Sequence, residues 1–161
     1  MNSNSIVKLV INADDYGMTK PISKGILEAC INGVVNSVSI VTNTPDFKET
    51  SSWIKQIDID KGIHLTLNSG KPISSPIANL PIVRYDGTFW KSPIKTPFFY
   101  FICKPEWKEW VYCEFKKQID KLLSMKIEIT HLDSHFHIHV FPGISDIVTK
   151  LVKEYNIPYV R

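Results

Sequence analysis

Two rhythms of apolar and polar positions run through this chain. Residues 6–12 form a short, nearly continuous stretch of branched apolar side chains. That pattern predicts a strand of a parallel sheet, buried on both faces. It stops at residues 12–17, where two carboxylates and a glycine take over. Thr19 is placed to cap a helix entered through Pro21, a residue that the first helical turn tolerates. Ile22, Ile26, Leu27 and Cys30 then recur at helical spacing, and Gly33 marks the stop. Residues 34–42 alternate small polar and branched side chains and predict a second strand. Residues 46–57 predict a weaker helix with Phe47, Trp53, Ile54 and Ile57 as its apolar positions. Residues 62–67 predict a third strand, which carries His64. This order predicts an α/β fold with a parallel sheet and right-handed crossovers.

Residues 68–104 break the rhythm. Five of the ten prolines fall there, at 72, 76, 81, 93 and 97, with Pro105 just beyond. A long irregular insertion of this kind is usually functional, as a lid or binding loop, or else disordered, and its aromatic content argues against simple disorder. Its aromatic residues, Tyr85, Phe89, Trp90, Phe98, Phe99, Tyr100 and Phe101, are suited either to stacking on sugar rings or to packing the insertion down. From Pro105 a long helix is expected to about residue 125, with Trp110, Phe115, Ile119, Leu122 and Leu123 as its buried stripe. Residues 126–133 predict a fourth strand. A helix follows Pro142 with Ile144, Ile147, Val148 and Leu151 on one side, and residues 157–161 begin a fifth strand. The chain reads as one domain over residues 1–161, with the insertion inside it.

Composition narrows the class. With 161 residues, 43% of them hydrophobic, the chain is ordinary for one globular domain. The net charge of +3 comes from scattered lysines; there is no basic stripe of the kind nucleic-acid binding needs. No apolar run approaches the roughly 20 residues that span a bilayer. The polar N-terminus does not resemble a signal peptide. Three cysteines without metal-type spacing are expected as reduced thiols in the cytoplasm.

The chemistry concentrates in residues 131–139, which hold four of the five histidines. His131, His135, His137 and His139 occupy alternate positions, with Asp133 in the remaining slot. If the run stays extended, all five side chains point to one face. Such a cluster suits neither a solvated surface nor an apolar core. A metal or proton-transfer site is its obvious use. Asp14 and Asp15 follow the first strand, His64 lies in the third, and the histidine run follows the fourth. Sites of parallel α/β sheets form at that edge of the sheet. Two histidines and one carboxylate make a first shell for a divalent metal with open positions, and a further carboxylate beside it can act as a base.

Asn12-Ala13-Asp14-Asp15-Tyr16-Gly17, Gly62-Ile63-His64-Leu65 and the stretch from Thr130 through His139 resemble the three signatures of the YdjC-like carbohydrate deacetylases, a family that includes chitooligosaccharide deacetylases. Residues 28–33 and 70–72 are similar as well, and the likeness runs from residue 6 to 161. The resemblance implies a distorted (β/α) barrel of TIM type. It implies Asp15, His64 and His135 as metal ligands and Asp14 as the base acting on water. His137 or His139 would protonate the departing amine, His131 and Asp133 would orient the ligands, and Tyr16 and Trp90 would contact substrate. The expected reaction is removal of N-acetyl groups from N-acetylglucosamine units of short chitooligosaccharides or related amino sugars. Magnesium is the family's usual metal, whereas two imidazoles suit zinc, nickel or cobalt better.

A complete barrel of this type takes about 250 residues, and this chain stops at the fifth strand, so an incomplete barrel is expected. Its open sheet edge predicts coverage by another chain, most simply in a homo-oligomer. Three rival readings follow from the same residues. An iron(II) oxygenase could use the same ligand set, although the βα rhythm argues against it. A truncated homologue could bind metal and sugar without turnover, and a core protein could carry its histidines incidentally.

Overall fold

The computed structural model describes residues 9–77, 80–91 and 104–161. Its frame is a parallel five-stranded sheet in the order β1-β2-β3-β4-β5, formed by Asn12–Tyr16, Ser37–Ile40, Asp60–Leu65, His131–Ser134 and Tyr159–Val160. Helices α1 (Lys20–Ile31), α2 (Phe47–Ile54), α3 (Pro105–Ser124) and α4 (Ile144–Glu154) alternate with the strands. The sheet is not closed: β1 and β5 are its two edges. The architecture is that of a partial barrel.

Local chemistry explains the starts and stops. Thr19 caps α1 by accepting from Ile22 N, with Pro21 in the first turn. Asp46, at the head of α2, instead accepts from Lys20 N at 3.0 Å and so ties the starts of α1 and α2 together. Gly17 stands at φ +88, and a Cβ there would lie 2.5 Å from Val41 O, so only glycine passes.

The two faces of the sheet differ. Val38, Ile40, Ile63, Leu65 and Leu132 point to the helices and pack with Phe47, Ile54, Phe115, Ile119, Val148 and Leu151. Each fully buried side chain of this size contributes about 1.5–3 kcal/mol. The alternate positions, Asn12, Asp14, Ser37, Ser39, His64, His131 and Asp133, form a polar, hydrogen-bonded opposite face. The sheet is therefore polar on one face, where the first strand was expected to be apolar on both.

The first strand lies later than expected. Leu9 and Val10 are exposed, and pairing begins at Asn12, where Ser37 Oγ donates to Asn12 Oδ1 at 2.6 Å. Within this strand the register shifts between Ala13 and Tyr16, and Asp15 has φ 66. A bulge of this kind re-aims side chains. It brings two consecutive carboxylates to one site, where a regular strand would send them to opposite faces.

The histidine run departs from expectation in the same way. Only His131–Ser134 is extended. His135–Val140 turns into 3-10 geometry, with Phe136 (φ 56, ψ 29) and His137 (φ 53, ψ 31) left-handed. The single-face alternation of four imidazoles does not exist. Two expected core positions, Ile22 and Leu123, are also largely exposed.

The described part of the insertion is tied to α3. The buried carboxylate of Glu114 accepts from Ile73 N and Ser74 N, Trp110 Nε1 donates to Ser75 O, and Phe89 packs edge-on against Trp110. Val83 and Phe89 form an antiparallel bridge. The expected aromatic positions Phe98, Phe99, Tyr100 and Phe101 lie outside the described residues.

Candidate metal centre

Asp15, His64 and His135 converge, each offering one ligand atom, with all three atoms within 4.8 Å of one another. The β1 bulge delivers Asp15, β3 delivers His64, and the turn after β4 delivers His135. Asp15 Oδ1 lies 3.2 Å from His64 Nε2 and 2.9 Å from His135 Nδ1. Neither approach is a hydrogen bond, and this buried oxygen accepts none from elsewhere. A carboxylate oxygen and two imidazole nitrogens aimed at one another are what a divalent cation between them requires. The residues fit a metal.

His64 is prepared for that task. Its Nδ1 donates to Asp133 Oδ1 at 2.6 Å, leaving Nε2 toward Asp15. A carboxylate behind a ligating histidine sets the tautomer and the ring orientation. Burial alone would lower the His64 pKa, but the hydrogen bond to Asp133 and the negative charges of Asp133 and Asp15 push it up to about 9. Burial likewise opposes ionisation of Asp15, and His135 and His64 outweigh it, holding that carboxyl well below the usual range. Asp133 is held down at about 2: burial would raise it, but His64, Ser39 and Arg161 prevail.

Asp133 anchors a wider network. Its Oδ2 accepts from Ser39 Oγ at 2.7 Å and from Arg161 Nε at 2.9 Å and Nη2 at 2.6 Å. Arg161 Nη2 also pairs with Asp14 Oδ1, which accepts from Asn12 Nδ2 at 2.8 Å as well. Asn12 Nδ2 donates in turn to Ser39 Oγ. Ser39 gives its one proton to Asp133, so His131 Nε2, 3.1 Å away, must donate to Ser39. Thr130 Oγ1 then serves His131 Nδ1 at 3.0 Å. That neutral tautomer agrees with burial lowering the His131 pKa. His131 and Asp133 thus sit behind the site.

The remaining candidates separate. His139 is buried. Its Nδ1 meets Ser134 Oγ at 2.6 Å, and burial lowers its pKa. With its backbone N also donating to Ser134 Oγ, His139 fastens the turn to β4. His137 is exposed on the same turn. Tyr16, expected at the substrate, is wholly buried with its hydroxyl donating to Thr50 O at 2.6 Å; it has no surface to offer a ligand. Trp90 is half exposed under the Arg84 guanidinium. Arg161, Ser39 and Asn12 were absent from the sequence-level site. Arg161 has no local pattern to reveal it, while the serines alternating along β2 did signal a polar face.

Comparison with known proteins shows the family. The profile described as YdjC-like protein matches residues 8–161. The chain belongs to the YdjC-like family. It is 35% identical over 152 residues to a carbohydrate deacetylase of Thermoanaerobacter pseudethanolicus, covering 93% of this chain and 58% of that protein. It is 33% identical over 153 residues to a carbohydrate deacetylase of Clostridium beijerinckii, covering 94% and 59%. A solved structure from Enterococcus faecalis, described as a candidate cellobiose-phosphate cleavage protein, superposes with TM-score 0.76 at 31% identity, covering 93% of this chain and 57% of that one. The YdjC-like chain therefore spans under three-fifths of the length of these relatives. Among its described residues, no helix is long and apolar enough to cross a membrane.

Proposed function

We propose that this chain is a metal-dependent hydrolase that removes N-acetyl groups from N-acetylglucosamine units of short chitooligosaccharides or related amino sugars. The observation that carries the proposal is the unpartnered Asp15 Oδ1 facing His64 Nε2 and His135 Nδ1. The relatives' name, carbohydrate deacetylase, supports the reaction class.

Asp15, His64 and His135 would hold the ion. When bound, it supplies Lewis acidity to the acetamido carbonyl and to the attacking water. The two imidazoles favour zinc, nickel or cobalt, and the family resemblance favours magnesium. Asp14 takes the proton of the water as its oxygen bonds to the carbonyl carbon. Arg161 pairs with Asp14 and holds it in place. As the C–N bond breaks, the amine needs a proton. His137, exposed two residues beyond His135, is better able to deliver it than His139, which is buried and held by Ser134. Acetate and a free amino sugar result.

The proposal extends to surroundings. Tyr159 and Val160 leave β5 as an exposed, unpaired edge, and a second copy of the chain covering it would satisfy the strand. The described free thiols, Cys30 and Cys113, suit the cytoplasm.

The test is acetate release from diacetylchitobiose by the chelator-treated chain, resupplied in turn with magnesium, zinc, nickel or cobalt. Turnover that returns with one metal and disappears in Asp14→Asn is the expected result. Tight metal binding without turnover under any condition would instead identify a non-catalytic metal- and sugar-binding homologue.

A further inference from the structure

We infer that Phe136 is the stacking platform for a pyranose ring at the mouth of the metal centre, and so a specificity-determining residue. The inference rests on the function proposed above.

Phe136 follows the candidate ligand His135 directly, and the two rings meet edge to face with centroids 4.5 Å apart. It is 57% exposed. That exposure is not the fraying of a loose loop, because the turn is pinned on both sides of it. Ser134 Oγ accepts from His139 N at 2.9 Å and meets His139 Nδ1, while Ile138 is wholly buried. Between these anchors, Phe136 and His137 both adopt left-handed backbone, a conformation that bulky residues rarely accept. Strained backbone at a site is retained where it places a side chain. Here it turns a phenyl ring outward beside a metal ligand when a right-handed turn would direct it elsewhere.

The rest of the candidate centre is polar: carboxylates, imidazoles, serine hydroxyls and a guanidinium. These groups can recognise hydroxyls and an acetamide, but none can cover the C–H face of a sugar. Gluco-configured pyranoses carry their hydroxyls equatorially and leave two apolar faces free, which is the surface an exposed aromatic ring complements. A ring seated on Phe136 would lie outside the metal centre. It would therefore belong to the sugar adjoining the one that loses its acetyl group, and Phe136 would favour a disaccharide over a monosaccharide.

The test compares the wild-type chain with Phe136→Ala and Phe136→Trp, using diacetylchitobiose and N-acetylglucosamine. Turnover kinetics are paired with saturation-transfer NMR of sugar binding and with zinc affinity. Phe136→Ala should raise KM for the disaccharide about 3- to 10-fold, with kcat and zinc affinity unchanged and little effect on the monosaccharide. Phe136→Trp should restore KM. An active wild type whose KM is indifferent to Phe136→Ala overturns the inference and leaves the proposed function standing. A wild type that binds diacetylchitobiose through Phe136 without hydrolysing it sinks the function and keeps the platform. Failure of the wild type to bind either sugar overturns the platform. So does a Phe136→Ala effect confined to self-association, which would assign the ring to a protein contact.

Discussion

His64 Nδ1 and Asp133 Oδ1 meet at 2.6 Å, with both side chains buried. This bond decides the chemistry available at the centre, because it commits one ring nitrogen and leaves Nε2 facing Asp15. The strand register makes it possible: His64 on β3 pairs directly with Asp133 on β4. The two side chains stand side by side on the polar face of the sheet.

The first prediction removes the charge behind the ligand. Asp133→Asn keeps the shape but weakens the hold on His64 and leaves Arg161 facing a neutral amide. Metal affinity should fall about 10- to 100-fold, the usual cost of losing a group behind a ligating histidine. Competition against a chromophoric chelator measures it. Unchanged affinity would show that His64 is oriented without Asp133.

The metal-free protein should have a bounded pH window. His64 is raised from 6.5 to about 9, so its stabilising contribution is complete below 6.5 and is lost as pH rises through 9. Asp133 is lowered from 3.8 to about 2, so its contribution is present above 3.8 and is lost as pH falls through 2. Denaturant midpoints of the metal-free chain should therefore plateau between about pH 4 and 6.5 and decline on both sides. A metal ligand must be an unprotonated imidazole, so metal binding at pH 7 should also release a proton. Calorimetry in buffers of different ionisation enthalpy would detect it.

The βα order and the helix start at Thr19 and Pro21 were legible in the sequence, because each rests on local pattern, and the family resemblance pointed to Asp15, His64 and His135, which the structure brings together. The rest was not, for physical reasons that are specific to each case. Two adjacent carboxylates in a regular strand must diverge, and only the bulge at Asp15 unites them. No propensity announces a bulge at an aspartate. The histidine alternation suggested one shared face, but left-handed Phe136 and His137 end the extended backbone after Ser134. Tyr16 was expected to contact substrate, whereas the packing of β1 on α2 buries it. Arg161 reaches Asp133 and Asp14 only because β5 lies beside β4, a fact of tertiary pairing.

Arg161 gives the third prediction. Its guanidinium joins Asp14, on one edge strand, to the buried Asp133. Arg161→Met keeps the stem and removes the charge. Stability at neutral pH should drop by about 1–2 kcal/mol, a charged hydrogen bond discounted for the partial exposure of Arg161. The acid limb of the stability profile should also move to higher pH, because Asp133 loses one of the groups that hold it down. A variant with the wild-type acid limb would show that His64 and Ser39 suffice.

The fourth prediction concerns the floor of the site. Gly62 lies beneath His131, and a Cβ at that position would sit 2.3 Å from the imidazole. The obstacle is a ring held from both sides by Ser39 and Thr130, so it cannot simply swing away. Gly62 pairs with Ser39 on one side and His131 on the other, which leaves the backbone no room to shift either. Gly62→Ala should therefore destabilise the chain by about 1–3 kcal/mol, the range for overpacking a filled interior. It should also lower metal affinity by displacing the Ser39–Asp133–His64 chain. The double variant Gly62→Ala, His131→Ala separates the causes. If the clash alone matters, removing the ring should restore metal affinity relative to Gly62→Ala. If affinity stays low in the double variant, His131 itself is needed to hold Ser39 and Asp133 in register.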